Sequence, residues 1–164
     1  MEEWKELDAF PDYAVSTSGE VKRISTGRVL AHKVNQYGVV YVGLMRGYKQ
    51  RQRSVALLVA KTFLERPPTP WDTPINLNGD RHDNRVENLA WRPRWYAIHY
   101  NRQFKTPYEY PINESIVDLN TKDLYRNSWE CATQNGLLER DVVLSILNRT
   151  FTAVTFQQFD VLSD

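Results

Sequence analysis

Residues 74–91 read PINLNGDRHDNRVENLAW and lie at the centre of the chain. Residues 74–76 have the character of a short β-strand, and the polar residues 78–80 that follow favour a turn. Asp83 and Asn84 are both residue types that commonly cap the first turn of a helix. The stretch therefore predicts a strand, a turn and a short helix in succession.

The residues before this stretch alternate short β-type segments with turns, which is typical of an antiparallel meander. These segments span residues 21–24, 29–34, 39–45 and 51–54. From residue 55 the apolar residues recur at helical spacing instead, which predicts a helix over residues 55–64. The proline-rich residues 66–70 are expected to end this helix.

The residues after the stretch predict a helix, a linker and a small C-terminal module. Residues 91–104 are expected to be helical, and residues 105–111 to form the linker. In the module, a hairpin precedes two helices, with Ser128 as the N-cap of the first helix and Gly136 at its end. The successive predictions are a hairpin of residues 115–119 and 123–126, helices over residues 129–135 and 139–148, and a final strand within residues 151–159. Two short helices joined through a glycine match a helix-turn-helix pattern.

Composition places the chain among globular proteins, and the predicted strands and helices indicate the α+β class. The chain has 164 residues, of which 41% are hydrophobic, so it can bury a core. Its one cysteine, Cys131, excludes an internal disulfide and favours a reducing compartment. No signal peptide or membrane-spanning run is apparent, so we expect a cytoplasmic protein without a membrane partner.

The charges are distributed unevenly, although the net charge is only +1. Residues 21–64 contain no aspartate or glutamate and nine lysines or arginines, and residues 88–108 are a second acid-free basic stretch. A basic surface of this kind is typical of proteins that bind the phosphates of nucleic acids. A solvated charged face is the alternative interpretation.

The whole chain resembles the phage HNH homing endonucleases of the intron-encoded nicking type. Three modules carry the resemblance, in the order in which the family has them. The N-terminal module has FPDYAVS, Gly19 and VKR, and the central module has LVAKTF, NGD and NRVENLAW. The C-terminal module has SWECA and Gly136. The resemblance implies an N-terminal basic β-sheet DNA-binding module over residues 1–54, an HNH-like ββα core over residues 55–105, and a C-terminal helix-turn-helix module over residues 112–164. It also implies duplex DNA as the partner and a phage-infected bacterial cell as the setting.

In this family a histidine of the core acts as general base, and a divalent metal polarises the scissile phosphate. Aligned back from Trp91 without a gap, the position of that histidine falls on Asn76, and with a gap it falls on Leu77. The neighbouring carboxylate position falls on Ile75 or Asn76. Neither an amide nor an alkyl side chain can take up a proton at neutral pH, so the resemblance implies a degenerate site.

We therefore expect no catalytic residues, no bound metal and no cofactor. One alternative keeps the enzyme active: a variant site with His82, Asp80 and Asn84 as catalytic residues. Its metal would be Mg²⁺ or Mn²⁺, held by Asn78, Asp80 and Asn88. The other interpretation is that these residues form a polar surface turn with a helix cap.

The residues expected to contact DNA are basic or polar side chains of all three modules. They are Lys22, Arg23, Arg28, Lys33, Arg46, Lys49, Arg51, Arg53, Arg92, Arg94, Lys105, Arg140, Asn148 and Arg149. Tyr37, Tyr41 and Tyr48 interleave with them, and sheet packing is the interpretation favoured over base stacking. In the C-terminal module, Glu139 and Asp141 would repel phosphate if they faced it.

Three hypotheses about function follow. The first is duplex DNA binding with little or no cleavage. The second is a metal-dependent, site-specific homing endonuclease with a variant HNH site. The third is a protein-interaction module that contacts a partner through the acidic ends of the chain.

Overall fold

The structure is a computed structural model that describes residues 1–65 and 70–163. The predicted proline-rich break at residues 66–70 lies outside the described residues, apart from Pro70. Helices and small antiparallel sheets are both present, so the predicted α+β class is confirmed. None of the helices in the described ranges has the length and apolar character needed to cross a bilayer.

The chain divides into two compact units. The first contains Met1–Asn76 and Asp80–Pro93, and the second contains Leu77–Gly79 and Arg94–Asp164. This division rests on contacts, whereas the three modules of residues 1–54, 55–105 and 112–164 are a division by motif and stay a prediction.

The first unit consists of short strands around one helix. Its elements in chain order are β1 (Trp4–Leu7), β2 (Phe10–Ser16), β3 (Val21–Arg23), β4 (Lys33–Val34), β5 (Val40–Arg46), β6 (Lys49–Ser54), α1 (Val55–Phe63), β7 (Thr73–Asn76) and β8 (Leu89–Arg92). They form two three-stranded sheets, β1-β2-β3 and β4-β5-β6, and the two-stranded sheet β7-β8. The predicted meander is therefore two sheets, and the β1–β2 hairpin precedes the region in which strands were predicted.

Helix α1 packs its apolar face against this set of strands. The Ser54 hydroxyl accepts a hydrogen bond from the Leu57 amide at 3.4 Å and so caps the helix. Val55, Leu58 and Val59 are buried with the apolar residues of β2 and β5 in one core cluster. The predicted helix over residues 55–64 is thus confirmed to within one residue.

The second unit combines three helices with a small sheet. Its elements are α2 (Arg94–Gln103), β9 (Ile116–Asp118), β10 (Leu124–Tyr125), α3 (Ser128–Asn135), α4 (Glu139–Asn148) and β11 (Phe159–Val161), with strand order β10-β9-β11. Gly136 ends α3 at φ 64°, which is the left-handed conformation that the sequence predicts there. Asn127, rather than Ser128, caps α3: its side chain accepts from the Glu130 amide at 2.8 Å.

Beyond the cap of α3, local predictions differ from the structure in three places. The helix predicted from Asp83 or Asn84 is a single 3-10 turn at Val86–Asn88, because Leu89–Arg92 pairs with Thr73–Asn76 as a strand. For the same reason the helix predicted over residues 91–104 begins only at Arg94. The strand predicted over residues 29–34 is reduced to Lys33–Val34 and one bridge between Lys22 and Val29.

The third difference concerns the C-terminal strand, which was predicted within residues 151–159 and spans Phe159–Val161. The preceding residues form a turn instead. The Thr152 amide donates to the Gln157 carbonyl at 2.8 Å, and the Thr152 and Thr155 hydroxyls lie 2.9 Å apart.

Candidate nucleic-acid interface and the polar loop of the core

Eight of the basic residues predicted to contact DNA lie in the first unit before α1. They are Lys22, Arg23, Arg28, Lys33, Arg46, Lys49, Arg51 and Arg53, of which Lys22 and Arg53 are half-buried and the other six exposed. Within residues 1–65 and 70–163, none of these eight side chains forms an ion pair, in contrast to Lys5, Arg85, Arg126 and Arg140. The eight cations therefore give the first unit a basic surface that its own acids do not neutralise.

The register of β5 and β6 arranges four of these cations along one face of the sheet. Arg46 is opposite Lys49, Leu44 is opposite Arg51, and Val42 is opposite Arg53. Residues directly opposite in an antiparallel pair point to the same face. Successive cations of β6 are two residues apart, a spacing of about 7 Å at about 3.4 Å per residue. The cations thus form a row, here called the β6 cation row, that runs from the core to the hairpin tip.

Two cations of this surface are held over aromatic rings. The Lys22 Nζ lies 4.0 Å from the centroid of the Trp4 ring, and the Arg53 guanidinium carbon lies 5.1 Å from that of Phe10. Such cation–π contacts orient the side chain without cancelling its charge. Lys22 and Arg53 therefore keep their charge available while their positions are restricted.

Arg92 differs from the other predicted contact residues because it is buried. Its Nη1 donates to the Trp91 carbonyl at 2.7 Å, and its guanidinium lies 5.6 Å from the centroid of the Trp71 ring. The structure thus corrects the placement of Arg92 among exposed DNA-contacting residues. The burial of β8, to which Arg92 belongs, is the physical reason.

The predicted contact residues of the second unit are all exposed: Arg94, Lys105, Arg140, Asn148 and Arg149. Of the two acids of α4, Glu139 is buried, whereas Asp141 pairs with one of these cations. The Glu139 carboxylate is buried and accepts from the Ser128 hydroxyl at 2.6 Å. Asp141 accepts from the Tyr96 hydroxyl at 3.1 Å and lies 3.5 Å from the Arg140 guanidinium.

Three buried asparagines organise the loop between β7 and β8. The Asn76 amide nitrogen donates to the Asp83 carbonyl at 2.7 Å and to the Asn84 side-chain oxygen at 3.0 Å. The Asn88 amide nitrogen donates to the same Asp83 carbonyl at 2.8 Å, and that of Asn84 donates to the Arg81 carbonyl at 3.1 Å. We call Asn76, Asn84 and Asn88 the amide cluster; it fixes the loop through neutral hydrogen bonds.

The carboxylates of this loop are also engaged. Asp83 forms a bidentate pair with Arg85, with both N–O distances at 2.8 Å, and Arg85 reaches Glu87 at 3.2 Å. Hydrogen bonding to Asp83, with the charges of Asp83 and Glu87, raises the pKa of Arg85 above its usual range. The Asp80 carboxylate accepts from the His82 backbone amide at 2.9 Å, and the His82 side chain is exposed.

These residues do not fit a divalent metal ion of the kind that the resemblance implies. Such a site needs several converging oxygen or imidazole ligands, preferably with negative charge. In the described ranges no three histidine, cysteine, aspartate or glutamate side chains lie close enough to form one. Asn84 of the variant catalytic set and Asn88 of the variant metal set belong to the amide cluster.

Sequence reasoning missed two features of this region. The Asp83–Arg85 pair is indicated only by two opposite charges two residues apart, a spacing that also occurs without contact. Tyr37 and Tyr48, for which sheet packing was favoured, have exposed fractions of 72% and 104%, so that interpretation was wrong for both.

Comparison of the sequence with known proteins identifies nucleases as relatives. Residues 2–45 match the family model described as the NUMOD4 motif. The chain is 37% identical over 92 residues to an uncharacterised HNH endonuclease, L247, of Acanthamoeba polyphaga mimivirus, covering 54% of this chain and 23% of the relative. It is 32% identical over 93 residues to the DNA endonuclease I-HmuI of Bacillus phage SP01, covering 54% of this chain and 51% of that enzyme. The chain therefore spans about half or less of the length of these relatives.

Comparison of the fold gives a match over almost the full length. A solved structure described as "DNA binding and cleavage by the HNH homing endonuclease I-HmuI" superposes with a TM-score of 0.57 and covers 99% of both chains. The sequence identity in this match is 21%, so it establishes a shared fold.

Proposed function

Because the chain is related to the HNH homing endonucleases, we propose that it binds double-stranded DNA and cleaves it slowly or not at all. The observation that carries the binding part is the set of eight cations in the first unit without ion pairs among the described residues. The phosphates of a duplex can supply the negatively charged partners that these cations do not have among the described residues. When the cations bind the phosphates, counterions are released from the DNA. The relative I-HmuI, whose solved structure is described as one of DNA binding and cleavage, supports this part.

The amide cluster carries the second part of the proposal. Asn76, or Leu77 if the alignment has a gap, stands where the resemblance places the general base, and neither side chain accepts a proton from water at neutral pH. Loss of a general base typically lowers a rate by about 10²- to 10⁴-fold. The bidentate Asp83–Arg85 pair removes a further carboxylate that could have supported a metal.

The binding proposal is tested by the salt dependence of affinity for a duplex. If about five to seven phosphates are contacted, log K should fall against log[salt] with a slope of about −5 to −6. Fluorescence anisotropy of a labelled duplex at increasing KCl concentration gives this slope. A slope shallower than about −2, or no binding at low salt, would contradict the proposal and favour the protein-interaction hypothesis.

The β6 cation row is tested by replacing Arg51 and Arg53 together with alanine. We expect weaker binding to every duplex sequence and a slope less negative by about one for each phosphate that the variant no longer reaches. Arg126→Ala is the matched control, because Arg126 is exposed but paired with Glu130 at 3.0 Å. Equal affinities of the parent and the double variant would refute a role for this row.

A further inference from the structure

The tip of the β5–β6 hairpin holds one aromatic residue between two cations. The strands are joined by the two residues Gly47 and Tyr48, and Arg46 is paired with Lys49 directly below the turn. Gly47 has φ 60°, whereas Tyr48 has a negative φ. A positive φ at the first central residue alone is the pattern of a type II′ turn, which suits the twist of a hairpin. The turn therefore fixes Tyr48 at the end of the sheet.

Packing does not account for Tyr48. Its side chain is fully exposed, at 104% of the reference area, and has no hydrogen bond or ring contact with any described residue. Tyr13 in the same unit is buried, and its hydroxyl accepts from the Met45 amide at 3.1 Å. A large ring in water at a hairpin tip thus contributes nothing to the core of the unit.

The charges beside Tyr48 also indicate that this hairpin tip binds a partner. Arg46 and Lys49 are like charges directly opposite one another, an arrangement that destabilises an antiparallel pair. Both side chains are exposed, and no acid within the described part of the chain pairs with either. A partner that offers negative charge on both sides of a flat apolar surface would satisfy all three side chains.

We propose that Tyr48 stacks on, or wedges between, bases of the bound duplex while Arg46 and Lys49 contact the flanking phosphates. This inference rests on the proposed DNA binding and specifies one element of it. β-ribbons can enter a DNA groove, and side chains inserted between base steps partly unstack them. Stacking of a base on an aromatic ring tolerates any sequence, because every base has a π-face.

The test uses the full chain with short mixed-sequence duplexes, each carrying 2-aminopurine at one interior position. Unstacking raises the fluorescence of this base, so we expect the parent protein to raise it in a subset of the duplexes. Tyr48→Ala should abolish the rise and weaken binding by about 5- to 100-fold, while leaving the salt slope unchanged. Tyr48→Phe should retain both properties, since it keeps the ring.

Two controls separate this inference from the proposed function. Tyr110→Ala removes a tyrosine that is 70% exposed in the second unit. This variant should bind the duplexes and raise the 2-aminopurine fluorescence as the parent does. Lys49→Ala should make the salt slope less negative by about one, which Tyr48→Ala should not do. A parent that binds with no fluorescence change, together with unchanged affinity of Tyr48→Ala, overturns the inference and leaves DNA binding intact. A parent that binds no duplex at low salt overturns both.

Discussion

At the residue scale, the amide cluster holds the loop at the centre of the core. Asn76, Asn84 and Asn88 are buried, and each donates a side-chain hydrogen bond within one loop. Neutral amides that hold a loop in this way have neither the basicity of an imidazole nor the charge of a carboxylate. For this reason we propose that the core cleaves DNA slowly or not at all.

These hydrogen bonds predict that the cluster contributes to stability. Asn76→Ala removes two donors and leaves the buried Asn84 oxygen without that partner, so the free energy of unfolding should fall by about 1–3 kcal/mol. Urea unfolding followed by circular dichroism measures this change. Gln36→Ala, a change of an exposed amide, should stay within about 0.5 kcal/mol of the parent. Equal stability of the Asn76 variant would show that the cluster is not structural.

The sequence indicates this part of the site only incompletely. Motif spacing places Asn84 and Asn88 in the core, and alignment brings Asn76 to the histidine position. Asn76 and Asn88 share the main-chain carbonyl of Asp83 as acceptor, however, and no spacing rule predicts a contact with a backbone atom five or seven residues away. The exposure of Tyr48 likewise depends on the turn geometry and not on its neighbours in the sequence.

At the element scale, local signals predict the helices of the second unit better than the loop of the first. Helices α3 and α4 form within one residue of the predicted ranges, and Gly136 ends α3 as predicted, although Asn127 and not Ser128 caps it. The helix predicted from Asp83 fails because β8 pairs along its whole length with β7, which lies on the other side of the loop. Pairing between distant segments outweighs weak local helix preferences.

The start of α3 carries a prediction about pH. The Arg126 side chain and backbone amide both donate to Glu130, at 3.1 Å and 2.6 Å, and these bonds lower the pKa of Glu130. A carboxyl with a lowered pKa stabilises the folded state above its unfolded pKa of about 4.3, and this stability is lost as the pH falls through the folded pKa.

We therefore expect Glu130→Gln to be less stable than the parent at neutral pH, with a difference that shrinks as the pH falls below about 4. Thermal melts between about pH 7 and pH 3 give the comparison. Glu114→Gln is the control, because Glu114 is exposed and forms no ion pair with a described residue. A difference that stays constant over this range would exclude the proposed charge effect.

At the scale of the whole molecule, the position of the charges matters more than their sum. A net charge of +1 gives no indication of a nucleic-acid partner, but the first unit holds eight cations outside any ion pair of the described residues. The exposed cations predicted to contact DNA in the second unit are fewer, and Arg140 is close to Asp141. Most non-specific affinity should therefore reside in the first unit.

The second unit should contribute to the choice of sequence instead. Replacing Arg140 and Asn148 of α4 with alanine should lower the ratio of specific to non-specific affinity more than the non-specific affinity itself. Selection of a preferred duplex from a random pool, followed by competition binding, provides both quantities. If non-specific affinity falls and the ratio does not, α4 contacts phosphates without reading bases.

We propose that this protein holds duplex DNA without cutting it efficiently. The most direct test is nicking of supercoiled plasmid in Mg²⁺ and in Mn²⁺, at a low salt concentration where a gel shift shows the plasmid fully bound. We predict a bound plasmid that stays supercoiled, with any nicking about 10²- to 10⁴-fold slower than by I-HmuI under the same conditions. Repeated turnover within minutes that is lost in His82→Ala would contradict the claim and establish a nuclease with a variant site.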